Sequence, residues 1–183
     1  KLAFSRDLFV LLFLLRGMPF VDLAFLRRCD LQGNVITYHR RKTSRKLTVV
    51  VGKEAMEIIQ KYMYAIPDSP YLFPIIQNPG KDEYGQYARM LRLQNYRLTQ
   101  VANILGIRDR LSTYTARHTW ATTALRQNYN SSLICDAMGH SSVKVTETYF
   151  QPYRDDEVNR MNSSLITYIL SKKKRGTDKK IRS

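Results

Sequence analysis

Apolar positions change period several times along the chain, and the changes mark out its elements. Residues 5–15, SRDLFVLLFLL, are apolar on nearly every side, the pattern of a deeply buried helix, with Ser5 as its N-cap. Arg16-Gly17 ends that helix. Pro19 opens a second one, PFVDLAFLRRCD, in which Phe20, Leu23, Ala24 and Arg27 share a face. From residue 34 to 51 the period shortens toward two. NVITYHRRKTSRKLTVVV is β-branched at both ends with a polar basic turn between, which predicts a hairpin.

Helical spacing returns after Gly52 in KEAMEIIQKYMYAI, closed by Pro67. YLFPII and a Pro/Gly loop lead to a long helix through QYARMLRLQNYRLTQVANILG, with Gly106 as its C-cap residue. Ser112 or Thr113 caps the next helix, which runs to about Gln127. Ser131-Ser132 cap a short helix closed by Gly139, and Ser141-Ser142 cap the helix that carries Tyr149. DDEVNRMNSSLITYIL then reads as a last helix, with acids in the first turn where the helix dipole favours them. No internal repeat is visible. The expected fold class is α+β, mainly α-helical, with one small antiparallel β-hairpin or sheet.

Length and charge sharpen this picture. A chain of 183 residues with 44% hydrophobic residues suits one cored domain. Thirty Lys and Arg against fifteen Asp and Glu leave +15 and a pI near 10.0, a balance that favours a polyanionic partner. The final segment, SKKKRGTDKKIRS, holds seven basic residues and one acid; residues 171–183 are expected to be a disordered tail and 1–170 the folded domain. Cys29 and Cys135 are expected to be reduced, buried thiols. His39, His118 and His140 lack metal-ligand spacing, so no metal or cofactor is expected. VLLFLL is too short to span a bilayer and no signal peptide is visible. A cytoplasmic, nucleoid-associated setting is expected. The chain starts inside a helical pattern, as a piece of a longer protein would.

Three residues stand out for chemistry. Arg117 shares a helical face with Trp120, Ala121, Ala124 and Leu125. An arginine on an apolar face must find a partner, either a carboxylate in a structural ion pair or an external phosphate gripped bidentately. His140 stands between a helix-ending glycine and two capping serines, at a helix N-terminus that favours an anion; an ordinary turn histidine is the alternative. Tyr149 lies one turn beyond Val145 on an amphipathic helix, where a core tyrosine is the alternative.

Together, RHTWAT, then MGHSS, then the nine-residue step from His140 to Tyr149 in VTETYF resemble the catalytic half of the tyrosine recombinases, the phage-integrase family. RGMPFVDLAFLRRCDL resembles the family's first-arginine region and RRKTSRKLTVV the hairpin that bears its catalytic lysine. The resemblance implies site-specific DNA breakage and rejoining by a homotetramer on short inverted sites in double-stranded DNA. Tyr149 would form a 3′-phosphotyrosyl bond and free a 5′-hydroxyl, splitting one hard step into two reversible ones. Arg117 and a partner arginine would neutralise the nonbridging oxygens, His140 would hydrogen-bond the phosphate with His118 in support, and Lys42 would protonate the leaving oxygen, with Lys46 as the fallback. Arg40, Arg41, Arg45 and Lys46 would hold the DNA backbone. Leu165, Ile166, Ile169 and Leu170 would let the last helix dock on a neighbouring protomer or pack back on its own core.

Two positions depart from the family pattern. Tyr114 stands where a histidine is usual, three residues before Arg117. The usual first-arginine position falls on Pro19, so Arg16 is the nearest substitute, with Asp22 as the acid that orients the arginines. The same motifs also admit a noncatalytic helix-turn-helix DNA-binding protein, in which Pro19 would signal lost activity, or a type IB topoisomerase.

Overall fold

The structure, a computed structural model, describes residues 1–148, 155 and 159–167. Tyr149, Ile169, Leu170 and the 171–183 tail lie outside the described residues. The chain divides into two units, Lys1–Phe150 and Gln151–Ser183.

In the first unit, helix α1 (Leu2–Leu14) is the central rod. Leu8, Leu11, Leu12 and, just past its end, Leu15 are fully buried, and α1 packs against α3 (Lys53–Tyr62), α4 (Glu83–Ile104) and α5 (Thr113–Arg126). Neighbours on three sides explain why its apolar pattern runs almost all the way round. The helix starts earlier than expected. Ser5 is a buried interior residue, not the N-cap, because Leu2, Ala3 and Phe4 extend the apolar run and Phe4 stacks edge-on against Tyr62. The side chain of Gln94 on α4 donates to the Ser5 carbonyl at 2.7 Å, tying the two helices together.

Two consecutive left-handed residues, Arg16 (φ 60°) and Gly17 (φ 65°), stop α1. Pro19 then caps the short α2 (Phe20–Ala24), which buries Phe20, Leu23 and Ala24 as expected. Arg27 falls beyond this helix and is exposed. Cys29 sits in the 3₁₀ turn Arg28–Asp30 and is exposed, while Cys135 is buried; the turn carries Cys29 to the surface, against expectation.

Strands β1 (Leu31–Gln32), β2 (Val35–His39) and β3 (Lys46–Val50) form an antiparallel sheet in sequence order. The hairpin is the expected one, with Val35 opposite Val50 and His39 opposite Lys46; β1 adds a short third strand. Ile36, Tyr38, Leu47 and Val49 turn inward, alternating with exposed residues as one buried face demands. YLFPII pairs with the chain after α2 through a single bridge at Tyr71 and then turns, with the Leu72 N–H donating to the Leu26 carbonyl at 2.8 Å.

Helix α5 is capped by Ser112, whose side chain and Thr115 form a reciprocal capping box. Helix α6 (Ser131–Met138) is capped by Asn130, not by the serines after it: its side chain accepts from the Ser132 N–H at 2.7 Å. Gly139 ends α6 at φ 65°, and α7 (Val143–Glu147) follows. Ala121, Ile134 and Met138 form a second small core with Trp120, Ala124 and Leu125. No helix among the described residues is long and apolar enough to cross a membrane. In the second unit, residues 159–167 are helical and expose Met161, Leu165 and Ile166.

Asp7 is the one acid buried in α1. It accepts from Lys61 and the Tyr62 hydroxyl at 2.7 Å each and from Arg6. Burial pushes its carboxyl up, but the bonds to Lys61, Tyr62 and Arg6 together bring it down to about 2. The stability it contributes is therefore complete above its ordinary pKa near 4 and lost as pH falls through about 2. Asp7→Asn should destabilise the protein by about 1–2 kcal/mol at neutral pH. Denaturant melts of the two proteins should converge near pH 2.

Candidate active site

The site grows from the end of α1, the hairpin tip and the α6–α7 turn, which meet over the middle of α5. Arg117 lies on the inner face of α5, only 3% exposed. Its guanidinium donates to the Gly17 carbonyl at 2.5 Å, to the Met138 carbonyl at 2.9 Å and to His140 Nε2 at 2.6 Å. These three bonds end on uncharged acceptors and fix the group in place. Gly17 is indispensable to this geometry. A Cβ there would lie 3.1 Å from Arg117 Cα, and its left-handed backbone already disfavours any side chain.

His140 is also 3% exposed, not the ordinary turn histidine its position allowed. A guanidinium can only donate, so Nε2 must accept from Arg117. The remaining proton then resides on Nδ1, 2.8 Å from the Thr146 hydroxyl, which accepts it. Burial, followed by the positive charges of Arg117, Arg40 and Lys42, lowers the imidazole pKa to about 4. The neutral Nδ1–H form therefore prevails at pH 7.

The hairpin delivers charge to this centre in an unexpected division of labour. Lys42 is exposed at the tip, close enough for its charge to act on His140. Arg41 is exposed and lays its guanidinium 3.8 Å over the Phe25 ring, while its N–H donates to Asp22 at 3.0 Å. Arg40, expected to hold the DNA backbone, is an interior residue. It is 6% exposed, donates to the Gly139 carbonyl at 2.6 Å and lies 3.8 Å from Asp22, because the strand period turns it inward after Tyr38. Arg45 bridges to α6 through Asp136 at 3.0 Å and to the His140 carbonyl at 3.4 Å. Lys46 is exposed beside His39.

Asp22 is buried and engages Arg40 and the Arg41 backbone. Burial raises its carboxyl pKa, opposed by the Arg41 N–H and by the charges of Arg40, Arg117 and Arg41. Arg16 donates to the Thr48 carbonyl at 3.2 Å. It shares with Arg117 and Arg40 the role of opposing the rise that burial and Asp22 impose on the Tyr38 phenol, so the structure brings Arg16 into the same electrostatic neighbourhood. Tyr114 is 53% exposed one turn before Arg117, edge-on to His118 at 4.4 Å. Burial and the Arg117 charge lower the His118 pKa. Sequence reasoning missed Gly17, Thr43 and Thr146. Only Gly17, beside Arg16 at a helix end, left a signal.

Two outcomes follow from this geometry. The ring ¹⁵N shifts of His140 should report a neutral imidazole protonated at Nδ1 at pH 7, titrating near pH 4; a midpoint near 6.5 would contradict the buried arrangement. Because the folded pKa is depressed, the stability His140 contributes is complete above about pH 6.5 and lost as pH falls toward 4. Gly17→Ala should cost about 1–3 kcal/mol in denaturant melts and displace Arg117.

Comparison with known proteins places this arrangement. The family model described as "Phage integrase family" matches residues 2–155. The chain is 26% identical over 163 residues to a tyrosine recombinase XerC of Thermodesulfovibrio yellowstonii, covering 81% of this chain and 51% of that protein. It is 32% identical over 60 residues to a tyrosine recombinase of Pseudothermotoga lettingae, covering 33% of this chain and 21% of that one. The chain thus spans about half the length of the first of these relatives, and less of the second. Among solved structures, the Tn1549 transposon integrase in complex with transposon right end DNA superposes with a TM-score of 0.64 at 16% identity, over 87% of this chain and 58% of that one. XerA recombinase does so with 0.59 at 21% identity, over 87% and 56%. The mainly helical fold with its small three-stranded sheet is that of tyrosine-recombinase catalytic domains. The chain belongs to the phage integrase family of tyrosine recombinases.

Proposed function

We propose that this protein carries out site-specific DNA recombination, integrating, excising or inverting a DNA segment through a covalent 3′-phosphotyrosyl intermediate. The observation that carries this reading is the buried Arg117–His140 pair at 2.6 Å, with the charge of Lys42 directed at it. A fixed cationic donor beside an exposed lysine suits a phosphodiester, whose nonbridging oxygens gain charge in the transition state.

Tyr149 is the proposed nucleophile. Its phenolic oxygen bonds to phosphorus, the P–O5′ bond breaks, and Lys42 passes a proton to O5′ while the phenolic proton leaves to solvent. Arg117 and Arg16 neutralise the phosphate, and Tyr114 donates a hydrogen bond where a histidine is usual in the family. Beside Arg117, His140 Nε2 is an acceptor. A hydrogen bond from it to phosphate needs a proton on Nε2, through the other tautomer with Thr146 donating to Nδ1 or through a second proton, which a neighbouring anion favours. His118 supports Tyr114 by stacking. Arg41, Arg45 and Lys46 contact the backbone of double-stranded DNA at the nucleoid, with the 171–183 tail adding nonspecific attraction to a catalytic unit read as 1–170. Arginine and lysine supply the positive charge, so the step needs no metal ion. Four copies assemble on DNA, and the exposed Leu165 and Ile166 suit docking of the last helix on a neighbouring protomer.

The test is a nicked suicide substrate carrying the element's end sequence, incubated with full-length protein in EDTA. Wild type should give a covalent protein–DNA band that Tyr149→Phe abolishes. Site-specific binding without an adduct from either protein would leave a noncatalytic DNA-binding protein. Arg16→Ala should reduce cleavage at least as severely as Tyr114→Phe; activity equal to wild type would place the first arginine elsewhere.

A further inference from the structure

Lys42 is exposed, yet the residues around it are anchored on two sides. On one side the Arg41 N–H donates to Asp22 on α2. On the other, the Thr43 hydroxyl donates to the Gly139 carbonyl at 3.2 Å. Arg40 reaches both anchors at once, with Nη1 2.6 Å from the Gly139 oxygen and Nε 3.8 Å from Asp22. The tip is closed on itself by the Ser44 N–H to the Arg40 carbonyl at 2.7 Å and the Arg40 N–H to the Arg45 carbonyl at 2.9 Å. Gly139 precedes His140 directly, and a Cβ on it would lie 2.8 Å from Leu47 and 3.1 Å from Arg40. The hairpin and the His140 turn are therefore in direct packing contact, and a shift of one moves the other.

We propose that Arg40, with Thr43, is a positioning residue for the Lys42 general acid: by gripping the Gly139 carbonyl it fixes the distance between Lys42 and the Arg117–His140 centre. This rests on the reading of Lys42 as the proton donor. The Arg40 guanidinium is already committed inside the fold, to the Gly139 carbonyl through Nη1 and to the Asp22 carboxylate 3.8 Å from Nε. Its carbonyl bond is of the charge-assisted kind, stronger than one between neutral groups. The hairpin without this grip keeps its strand register, since that is set by β2 and β3, but Lys42 is free to wander.

The chemistry supplies a readout that a merely structural residue would not move. A substrate with sulfur in place of the scissile O5′ expels a thiolate, whose conjugate acid has a pKa of about 8.5; it is so much weaker a base than an alkoxide that it departs without a proton from a general acid. In the full-length protein, Arg40→Met should slow cleavage of the ordinary oxygen substrate by about a hundredfold and recover on the sulfur substrate, in parallel with Lys42→Ala. Arg117→Ala, which acts on the nonbridging oxygens, should stay slow on both. Thr43→Val should show the same pattern more weakly, and it carries the test if thermal melts show that Arg40→Met does not fold. Equal defects on oxygen and sulfur substrates, with Lys42→Ala rescued, would overturn the positioning role. A salt slope of DNA binding reduced by about one for Arg40→Met would overturn it too, by revealing a phosphate contact. Failure of sulfur to rescue Lys42→Ala would remove Lys42 as the acid, and the proposal with it.

Discussion

The structure depends on keeping one guanidinium buried at a junction of three chain segments. Arg117 touches the turn after α1 through Gly17, the end of α6 through Met138, and the α6–α7 turn through His140. Burying a charge is costly unless its donors are satisfied, so each segment is obliged to present an acceptor in the right place. Gly17 meets that demand with a left-handed backbone and no Cβ, and Gly139 meets it by ending α6 tightly enough to turn His140 inward. The same bonds that make burial tolerable hold the group in one geometry. A group held in this way loses little freedom when an anion arrives, which is the condition for preorganised electrostatic stabilisation.

A second layer of arginine chemistry connects this junction to the sheet. Arg40 and Arg45 both come from the hairpin and both end on the α6–α7 region, one through the Gly139 carbonyl and one through Asp136 and the His140 carbonyl. Asp22 closes the loop from α2. Of the basic residues at the hairpin tip, Arg40 is buried and holds the fold together, Arg45 bridges to α6 while staying exposed, and the others face outward. Net charge therefore overstates how much of the tip is available to a polyanion. The hairpin thereby sets where the exposed Lys42 stands relative to the α6–α7 turn.

The sequence by itself determined the helices, the hairpin and the order of the motifs. Spacing of three and four residues placed Arg117 on the face of Trp120, Ala121 and Leu125, and β-branched ends around a polar basic turn marked the hairpin of β2 and β3, because both signals are local. The Arg-His, Gly-His and Tyr149 spacing was sufficient to indicate the family. Caps and exposures were less legible. Ser5 reads as a cap only when the apolar residues before it are ignored, and Asn130 competes with two serines for the same role. Cys29 is hydrophobic in its sequence context but lies in a turn at the surface.

What the tertiary structure alone decided is which basic residues are buried and which way the histidine is protonated. Arg40 and Arg41 are adjacent and chemically identical, yet one faces Gly139 in the interior and the other lies over the Phe25 ring at the surface. That split follows from the strand's inward–outward alternation meeting α6, a neighbour about a hundred residues away. The Nδ1–H form of His140 follows from Arg117 on one side and Thr146 on the other, a pair no local pattern could join. Periodicity along the chain tells which residues share a face. Only packing between distant segments tells what that face meets, and at a buried charge the answer is what sets the surroundings of Arg117 and His140.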